Sequence, residues 1–480
     1  MPPPSPRVLV ALIVIVLWGL MTHGTYAGTG DEPHYEMVAH SLAFDWDLDL
    51  TNNYTDVSNR AFAGGLDPGG HIRPGKDGRL RPVHDIGLPV LFAPYYALAY
   101  KLTGQVVRYV PDSWLRRAKL NFTVVLRHFL SFGMIGLTAW VGVVLFEIFA
   151  DLSGNPKSAF AWAALLTLSP PLLAHGFLFF TEMLSAAIAV RVFLWLRTKS
   201  SHARGALIAG AATGYLLLVH ARNVGLIGGV LILAVYRLGR SVDDRARLGW
   251  FLAGTAVLFA IRTAVTVHFW GTWLTTPHVR LDPSAPLIGE SVTRVAGWLF
   301  DQEHGLLPYA PIYLLMPAGW LALWKRNREC CLEISVLIAA YIGVMTLPFF
   351  NAHGWRGGWS PAARFLVPVT PLLGILVFTA AAHARRYHPI VVGLIALQLC
   401  LDTIVWLRPK LLWNNGIGTS ALLRALDGTG WLAAHWPSLL PPIGFGTIAT
   451  IGAIVVGWLF ITLALADRRP VDPQSATCRI

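Results

Sequence analysis

The chain has 480 residues, of which 55% are hydrophobic and only 13% are charged, and its formal net charge is +12. A soluble protein needs about 25% charged residues to cover its surface. The composition therefore excludes a soluble globular protein and predicts an all-α polytopic membrane protein with the lipid bilayer as its partner. The positive charge is typical of cytoplasmic loops between spans, and we expect no nucleic-acid partner.

Apolar runs in chain order predict the spanning helices. They cover residues 8–22, 86–103, 124–149, 159–174, 177–196, 206–220, 222–236, 249–270, 306–324, 331–350, 364–382, 389–407 and 443–466. The first run is preceded by a single arginine and has no clear small-residue cleavage site, so we expect a retained span rather than a removed signal peptide.

The distribution of basic residues decides which runs cross the bilayer. If the run 86–103 lies on the outer surface, the strongly basic segments all fall on the cytoplasmic side. These are the segments at Arg197, Arg237, Lys325, Arg385 and Arg468. We therefore predict a single transmembrane domain over residues 1–466 with about 12 spans (between about 11 and 13), followed by a cytoplasmic tail, 467–480. Residues 23–123 then form the first extracytoplasmic loop.

The stretch GDEPHY, residues 30–35, directly follows the first span. Asp31 stands just before Pro33, which is typical of a helix start. The apolar residues that follow recur at helical spacing: Tyr35, Val38, Ala39 and Leu42. We expect a short amphipathic helix on the membrane surface with Asp31 and Glu32 at its N-terminal end. A plain helix cap would explain Asp31 equally well.

Three further acids, Asp45, Asp47 and Asp49, alternate with apolar residues in the same loop. A period of two predicts a short extended segment with one polar face. Such a face can bind a divalent cation, but a solvated edge explains it more simply. We predict no metal site and no obligatory cofactor.

Several stretches of the chain resemble the GT-C glycosyltransferases, which include protein O-mannosyltransferases and lipid A aminoarabinose transferases. The matching stretches are GDEPHY at 30–35, PVHDIGLPVLFAPYYAL at 82–98, RHFLSFG at 127–133, SPPLLAHGFLFFTE at 169–182 and GGWSPAARFLVPVTPLL at 357–373. The resemblance covers the N-terminal half best. It implies a GT-C-like bundle with extracytoplasmic surface helices in the plasma (inner) membrane. It also implies a polyprenyl-phosphate sugar as donor and transfer on the extracytoplasmic side.

The reaction implied by this resemblance is the transfer of a hexosyl or pentosyl group with inversion. A single displacement needs a base for the acceptor hydroxyl and positive charge on the departing phosphate. By resemblance Asp31 is the base, and Glu32 orients the acceptor or supports Asp31. Arg127, Arg364 and Arg356 are the expected phosphate ligands because arginine forks suit phosphate oxygens. Each of these arginines would also fit an interfacial side chain that reaches towards water.

Six further residues are candidates for substrate binding. They are Tyr35, His84, Asp85, Glu182, Arg222 and His304. Glu182 matches a second acid of the family's outer loops, although Thr-Glu stands here where several relatives have Leu-Asp. In the stretch with His84, Asp85 replaces the first proline of the family's pattern.

Two other classes of protein remain open. A polytopic transporter or flippase for a lipid-linked or small polar substrate would bury charges at mid-bilayer and show paired repeats, and the sequence shows few such charges. A non-catalytic protein that binds lipid-linked glycans is the second alternative. The acceptor of an enzyme could be a glycan, a glycolipid or a protein.

Overall fold

The computed structural model describes residues 4–466 except 25, 27, 57, 63–64, 199–201, 274–275, 278–286, 348–353, 385–387 and 441–442. The predicted cytoplasmic tail, residues 467–480, and the basic residues Arg385 and Arg386 lie outside the described residues.

Almost all of the regular structure in the described part of the chain is helical. The α-helices are α1 (Pro6–His23), α2 (Glu32–Phe44), α3 (Thr51–Thr55), α4 (Gly87–Tyr109), α5 (Asp112–Arg117), α6 (Phe122–Ser153), α7 (Pro156–Thr167), α8 (Leu172–His175), α9 (Thr181–Thr198), α10 (Ala203–Val219), α11 (Val224–Leu238), α12 (Val242–Trp270), α13 (Leu287–Phe300), α14 (Met316–Arg326), α15 (Arg328–Thr346), α16 (Thr370–His383), α17 (Pro389–Leu407), α18 (Ala421–Asp427), α19 (Trp431–His435) and α20 (Phe445–Ala466). Short 3₁₀ turns cover Arg60–Phe62, Ala221–Asn223, Pro311–Leu315, Gly354–Arg356, Arg364–Val369 and Pro409–Leu412. The strands β1 (Ile72–Pro74) and β2 (Leu80–Pro82) form an antiparallel hairpin.

The predicted all-α membrane class is confirmed. Among the described residues, 8 helices are long and apolar enough to cross a bilayer. In two of the predicted runs, the observed α-helices do not cover the whole run. The run 159–174 is divided between α7 and α8 at Pro170 and Pro171, and the run 306–324 begins its α-helix only at Met316. Proline has no backbone N–H to donate inside a helix, which explains the first interruption.

The longest helix, α6, has 32 residues. At about 1.5 Å per residue it is roughly 48 Å long, whereas the hydrocarbon core of a bilayer is about 30 Å thick. The Asn121 side chain accepts from the N–H of Val124 at its start, and Gly154 ends it in the left-handed conformation. Part of α6 therefore extends beyond the bilayer.

Helix α4 packs beside the beginning of α6. The Tyr95 hydroxyl donates to the Phe129 carbonyl over 2.7 Å, and the Tyr100 ring lies 4.9 Å from the ring of Phe122. Phe122 is the first residue of α6, so α4 runs alongside only the beginning of that helix. That residues 86–103 lie on the outer surface stays a prediction.

Helix α2 is present as predicted, but it lies inside the protein rather than on the membrane surface. Eight of its 13 residues are buried, including Glu36 as well as Tyr35. It packs against α4. The surface prediction was wrong because Glu36 has a buried cationic partner, described below, so its polar side does not need water.

The acids of segment 45–50 do not form an extended strand. The Ser41 hydroxyl donates to Asp47 and the Asn53 amide donates to Asp45, while Asp49 accepts from the Thr51 hydroxyl. These acids therefore organise the turns around α3. Local capping overrode the period of two in the sequence.

The candidate site residues and the basic helix ends lie at opposite ends of the bundle. Asp31 follows the C-terminal end of α1 and Glu182 belongs to the first turn of α9. At the other end of α9 and α11, Arg197 and Arg237 both pair with the buried Glu333. This separation is the pattern that the positive-inside rule leads us to expect if the site faces outward.

Cysteine labelling tests this orientation. In a background without native cysteines, Asn52→Cys on the site end should react with a membrane-impermeant maleimide in intact cells. Lys157→Cys, at the exposed start of α7, should react only after the membrane is permeabilised. The reverse pattern would place the candidate site in the cytosol.

Candidate active site

Four charged side chains form a chain that leads from the surface into the bundle. The Nη2 of Arg364 donates to Asp31 Oδ2 over 2.8 Å, and its Nε donates to Glu182 Oε1 over 2.6 Å. Arg222 Nη2 donates to the same Glu182 oxygen over 2.6 Å. The Asp31 side chain is 24% exposed, whereas that of Glu182 is fully buried. Asp31 is therefore the end of this series of charges that solvent can reach.

The local sequence explains how Asp31 reaches this position. Asp31 occupies the N-cap position of α2, but its side chain makes no capping hydrogen bond and instead turns to Arg364. Gly28 and Gly30 before it have positive φ angles of 95° and 52°, which glycine adopts without strain. A side chain at Gly28 would also collide with the guanidinium of Arg127. The plain helix-cap alternative for Asp31 is therefore wrong.

Electrostatics keep Asp31 ionised. Burial by itself would raise the pKa of the Asp31 carboxyl, but the Arg364 guanidinium beside it outweighs burial and holds that pKa well below its usual range. The lowered pKa favours the carboxylate form of Asp31 at neutral pH.

Glu32, the neighbouring acid, has a different environment. It is fully buried, and its two oxygens accept from the backbone N–H groups of Phe179 and Thr29 over 2.6 and 2.8 Å. Burial raises the pKa of Glu32 to about 8, although the two N–H donors favour the carboxylate. Glu32 therefore ties the start of α2 to the segment before α9 and does not face the cleft. Tyr35, 1% exposed, is likewise enclosed.

Arg127 lies next to this arrangement but is already paired. Its Nε and Nη2 donate to the two oxygens of Glu36 over 2.8 and 3.1 Å, and both side chains are buried. The sequence prediction that Arg127 binds phosphate does not fit this state, because the guanidinium is directed at Glu36 rather than at an open cleft.

A cluster of histidines borders Asp31 on its exposed side. His71 Nδ1 lies 3.9 Å from Asp31 Oδ1 and 2.8 Å from His84 Nε2. The His34 ring stacks on His71 with centroids 3.5 Å apart. The sequence analysis selected His84 but not His71 or His34. The hairpin signal KDG in HIRPGKDGRLRPVHD indicates the turn that brings residue 71 close to residue 84.

Asp85, His304 and Arg356 have different surroundings. Asp85 accepts from the Ala221 N–H over 2.6 Å and from Arg262 Nη2 over 3.3 Å, so it holds the turn that carries Arg222. His304 is buried, its carbonyl accepts from the Ala363 N–H over 2.9 Å, and burial lowers its pKa to about 4. Arg356 is half-buried and has no hydrogen bond or ion pair among the described residues.

Comparison with known proteins identifies the fold. No family model matches the chain, and no curated protein matches it. Its structure resembles ArnT from Cupriavidus metallidurans bound to undecaprenyl phosphate, with 14% identity and a TM-score of 0.51 over 96% of this chain and 74% of that one. It also matches an oligosaccharyltransferase from Archaeoglobus fulgidus in the apo form, with 13% identity and a TM-score of 0.39 over 96% of this chain and 55% of that one. The similarity to ArnT confirms the predicted GT-C-like fold.

The pairing of Arg127 with Glu36 predicts a structural effect. Arg127→Met should destabilise the protein by roughly 3–5 kcal/mol, because it leaves the buried Glu36 carboxylate without its partner. The double variant Arg127→Met/Glu36→Leu should recover much of this loss. Thermal unfolding of the purified protein in detergent measures both. A double variant no more stable than Arg127→Met would contradict the pairing as the cause.

The raised pKa of Glu32 predicts a pH dependence of stability. A group whose folded-state pKa is about 8, well above the ordinary range of a glutamate, contributes stability that is fully present below its unfolded-state pKa and is lost as the pH rises through about 8. The expected loss is on the order of a few kcal/mol. Melting temperatures recorded from about pH 5 to pH 9 should fall less steeply for Glu32→Gln than for the wild type. Glu329→Gln, at a partly exposed glutamate, serves as the control and should keep the wild-type slope.

Proposed function

We propose that this chain is a membrane glycosyltransferase that moves a sugar from a polyprenyl-phosphate-linked donor to an acceptor hydroxyl on the extracytoplasmic face. One observation carries the proposal. Asp31, a partly exposed carboxylate at the end of the first span, is bound to Arg364, which is the kind of cation that a departing phosphate requires. The GT-C-like fold supports the same class of activity.

The proposed reaction is a single displacement. The acceptor oxygen bonds to the anomeric carbon as the bond from that carbon to the phosphate oxygen breaks. Asp31 takes the acceptor proton, and the lipid phosphate leaves as an anion, which inverts the configuration of the sugar. Arg364 and Arg356 then stabilise the charge that develops on the phosphate.

The bond between Arg364 and Asp31 gives the donor a direct influence on the base. A carboxylate with a strongly lowered pKa is a weak base. A donor phosphate that accepts from Arg364 Nη2 competes with Asp31 Oδ2 for the same N–H groups. Occupation of the donor site therefore raises the pKa of Asp31 towards its ordinary value and makes the carboxylate a better proton acceptor. Asp31 is activated when the donor is in place.

Two pockets along the first span suit a lipid-borne substrate. A groove of about 630 Å³ lies between α1, α7 and α17. Its walls are mostly apolar, and Val16 and Leu407 are among its lining residues. A second pocket of about 210 Å³ lies between the end of α1 and the Pro409–Leu412 turn, and Thr29 and Lys410 are among its lining residues. A polyprenyl chain in the groove would keep its phosphate at the membrane surface, near the loop that carries Asp31.

The roles of the other predicted site residues follow from their contacts. Glu182 and Arg222 hold Arg364 in place from the buried side, so we assign them a positioning role. Glu32 and Asp85 position the backbone on either side of the site. His304 supports the loop before Arg364 through its contact with Ala363.

The substitution Asp31→Asn separates an enzyme from a transporter or a binding protein. The amide cannot take the proton, so we expect transfer to fall by at least about a hundredfold, while donor binding and folding remain. Asp45→Asn, at an exposed acid of the same loop, should leave transfer unchanged. The measurement is mass spectrometry of lipid-linked sugars and envelope glycans. The samples are cells without the native protein that express the wild type or one of the two variants.

In these cells one polyprenyl-phosphate sugar should accumulate with Asp31→Asn and disappear with the wild type or Asp45→Asn. Equal levels of every lipid-linked sugar with the wild type and Asp31→Asn would refute the proposal. The accumulated lipid would also identify the sugar.

A further inference from the structure

Exposed positive charge is concentrated at the end of the predicted first extracytoplasmic loop. Residues 23–100 contain ten acids and five lysines or arginines, whereas residues 101–119 contain one acid and five lysines or arginines. The side chains of these last five cations are all exposed and form what we call the basic patch: Lys101, Arg108, Arg116, Arg117 and Lys119. We propose that the basic patch binds the anionic headgroups of phospholipids in the surrounding membrane.

The basic patch is an exception to the rule that orients the rest of the chain. In the predicted topology it lies outside, although lysines and arginines close to spans are normally enriched on the cytoplasmic side. Among the described residues, no acid forms an ion pair with a member of the patch. Its positive charge is therefore available to anions of the membrane surface.

Helix α4 presents an apolar stripe beside the first two cations of the patch. At 3.6 residues per turn, Leu91, Leu98, Leu102 and Tyr109 fall within roughly 20° of one line along the helix. The exposed fractions of these four side chains run from 41% to 71%, whereas another side of α4, which includes Phe92, is buried. A helix with such a stripe buries it favourably at the boundary between headgroups and acyl chains.

Two cations flank this stripe. Lys101 and Arg108 lie about a quarter-turn from it, on the side away from the buried residues of α4. The Arg108 guanidinium lies 5.5 Å from the centre of the Tyr109 ring. Long basic side chains in this position keep their apolar stems on the lipid and place their charged groups at the level of the headgroups.

The turn after α5 has a lysine where the backbone favours glycine. The Leu120 N–H donates to the Leu115 carbonyl over 2.8 Å, and the Lys119 N–H donates to the Arg116 carbonyl over 3.1 Å. These two bonds form a Schellman motif, in which the residue at the position of Lys119 is usually glycine. Lys119 has a φ of 54°, which is costly for a residue with a Cβ atom. The backbone thus gives no reason for a lysine here, whereas a charge-binding role does.

The combination of features selects a lipid rather than a soluble anion. Trp114 on α5 is 72% exposed, and tryptophan is enriched at the membrane–water interface. A free phosphate would contact only the cations and leave the stripe of α4 uncovered. A phospholipid satisfies both, because its acyl chains cover the stripe while its phosphate meets the cations. Each lysine or arginine near an anionic membrane surface strengthens binding by about fivefold.

Binding can be measured with defined lipids. Full-length protein in an uncharged detergent is titrated with phosphatidylglycerol or with phosphatidylcholine of the same acyl chains, and native mass spectrometry counts the lipids retained. We expect the wild type to bind phosphatidylglycerol at least about tenfold more tightly, with a preference that weakens as ionic strength rises. The patch variant Arg116→Gln/Arg117→Gln/Lys119→Gln should lose at least about tenfold in affinity for phosphatidylglycerol and keep its affinity for phosphatidylcholine.

A matched control removes the same number of charges from the same loop. Arg73→Gln/Lys76→Gln/Arg79→Gln changes three exposed cations of the hairpin and should bind phosphatidylglycerol as the wild type does. Thermal unfolding shows whether each variant is folded. If the patch variant is not, Lys119→Gly replaces it, since glycine fits the positive φ and only the charge is lost. Affinity for phosphatidylglycerol should then fall by about fivefold.

Three outcomes would overturn the proposal. The first is an equal affinity of the wild type and the patch variant for phosphatidylglycerol. The second is an equal loss in the hairpin control, because net charge alone would then explain the effect. The third is full competition by glycerol phosphate, which would indicate a site for a free phosphate. No lipid-linked sugar enters this titration, so each of these results would leave the proposed function standing.

Discussion

The ion pair between Arg364 and Asp31 is the interaction on which the site depends. It joins residues 333 positions apart and connects the end of the first span to the segment before α16. Charges buried in a helical bundle are costly unless each has a partner, and here the signs alternate from Asp31 through Arg364 and Glu182 to Arg222. The Arg364 guanidinium also lies 4.2 Å from the centre of the Phe180 ring, which adds a cation–π contact.

Under the proposed function, this chain of charges couples donor binding to the base, because only its Asp31 end is accessible. A ligand that engages Arg364 changes the electrostatic environment of Asp31, while Glu182 and Arg222 keep the guanidinium from following the ligand out of its position. The buried hydrogen bonds that Glu32 accepts from Phe179 and Thr29 serve the same arrangement. The loop that carries Asp31 must be held firmly if a donor phosphate is to compete for Arg364 without moving the base.

Much of the fold could be predicted from the sequence, since long apolar runs leave few alternatives to spanning helices. The sequence analysis also selected Asp31, Arg364, Glu182 and Arg222 as candidates, which the structure brings together. The partner of Arg127 could not be predicted, because Glu36 lies 91 positions away in the sequence. The helical pattern of α2 also predicts a solvent-exposed position for Glu36. His71 was missed because hairpin register, and not a local motif, places it beside His84.

Asp31 and Glu32 show why residue type alone could not assign their roles. They are neighbours in the chain, yet one backbone step turns Asp31 to Arg364 and the cleft and Glu32 into the interior. Asp31 lies beside a guanidinium, which lowers its pKa, whereas burial dominates for Glu32 and raises its pKa to about 8. The exposed acid is the one whose charge a substrate can alter. The enclosed acid can act only through the backbone it holds, so of these two acids Asp31 is the one that we propose as proton acceptor.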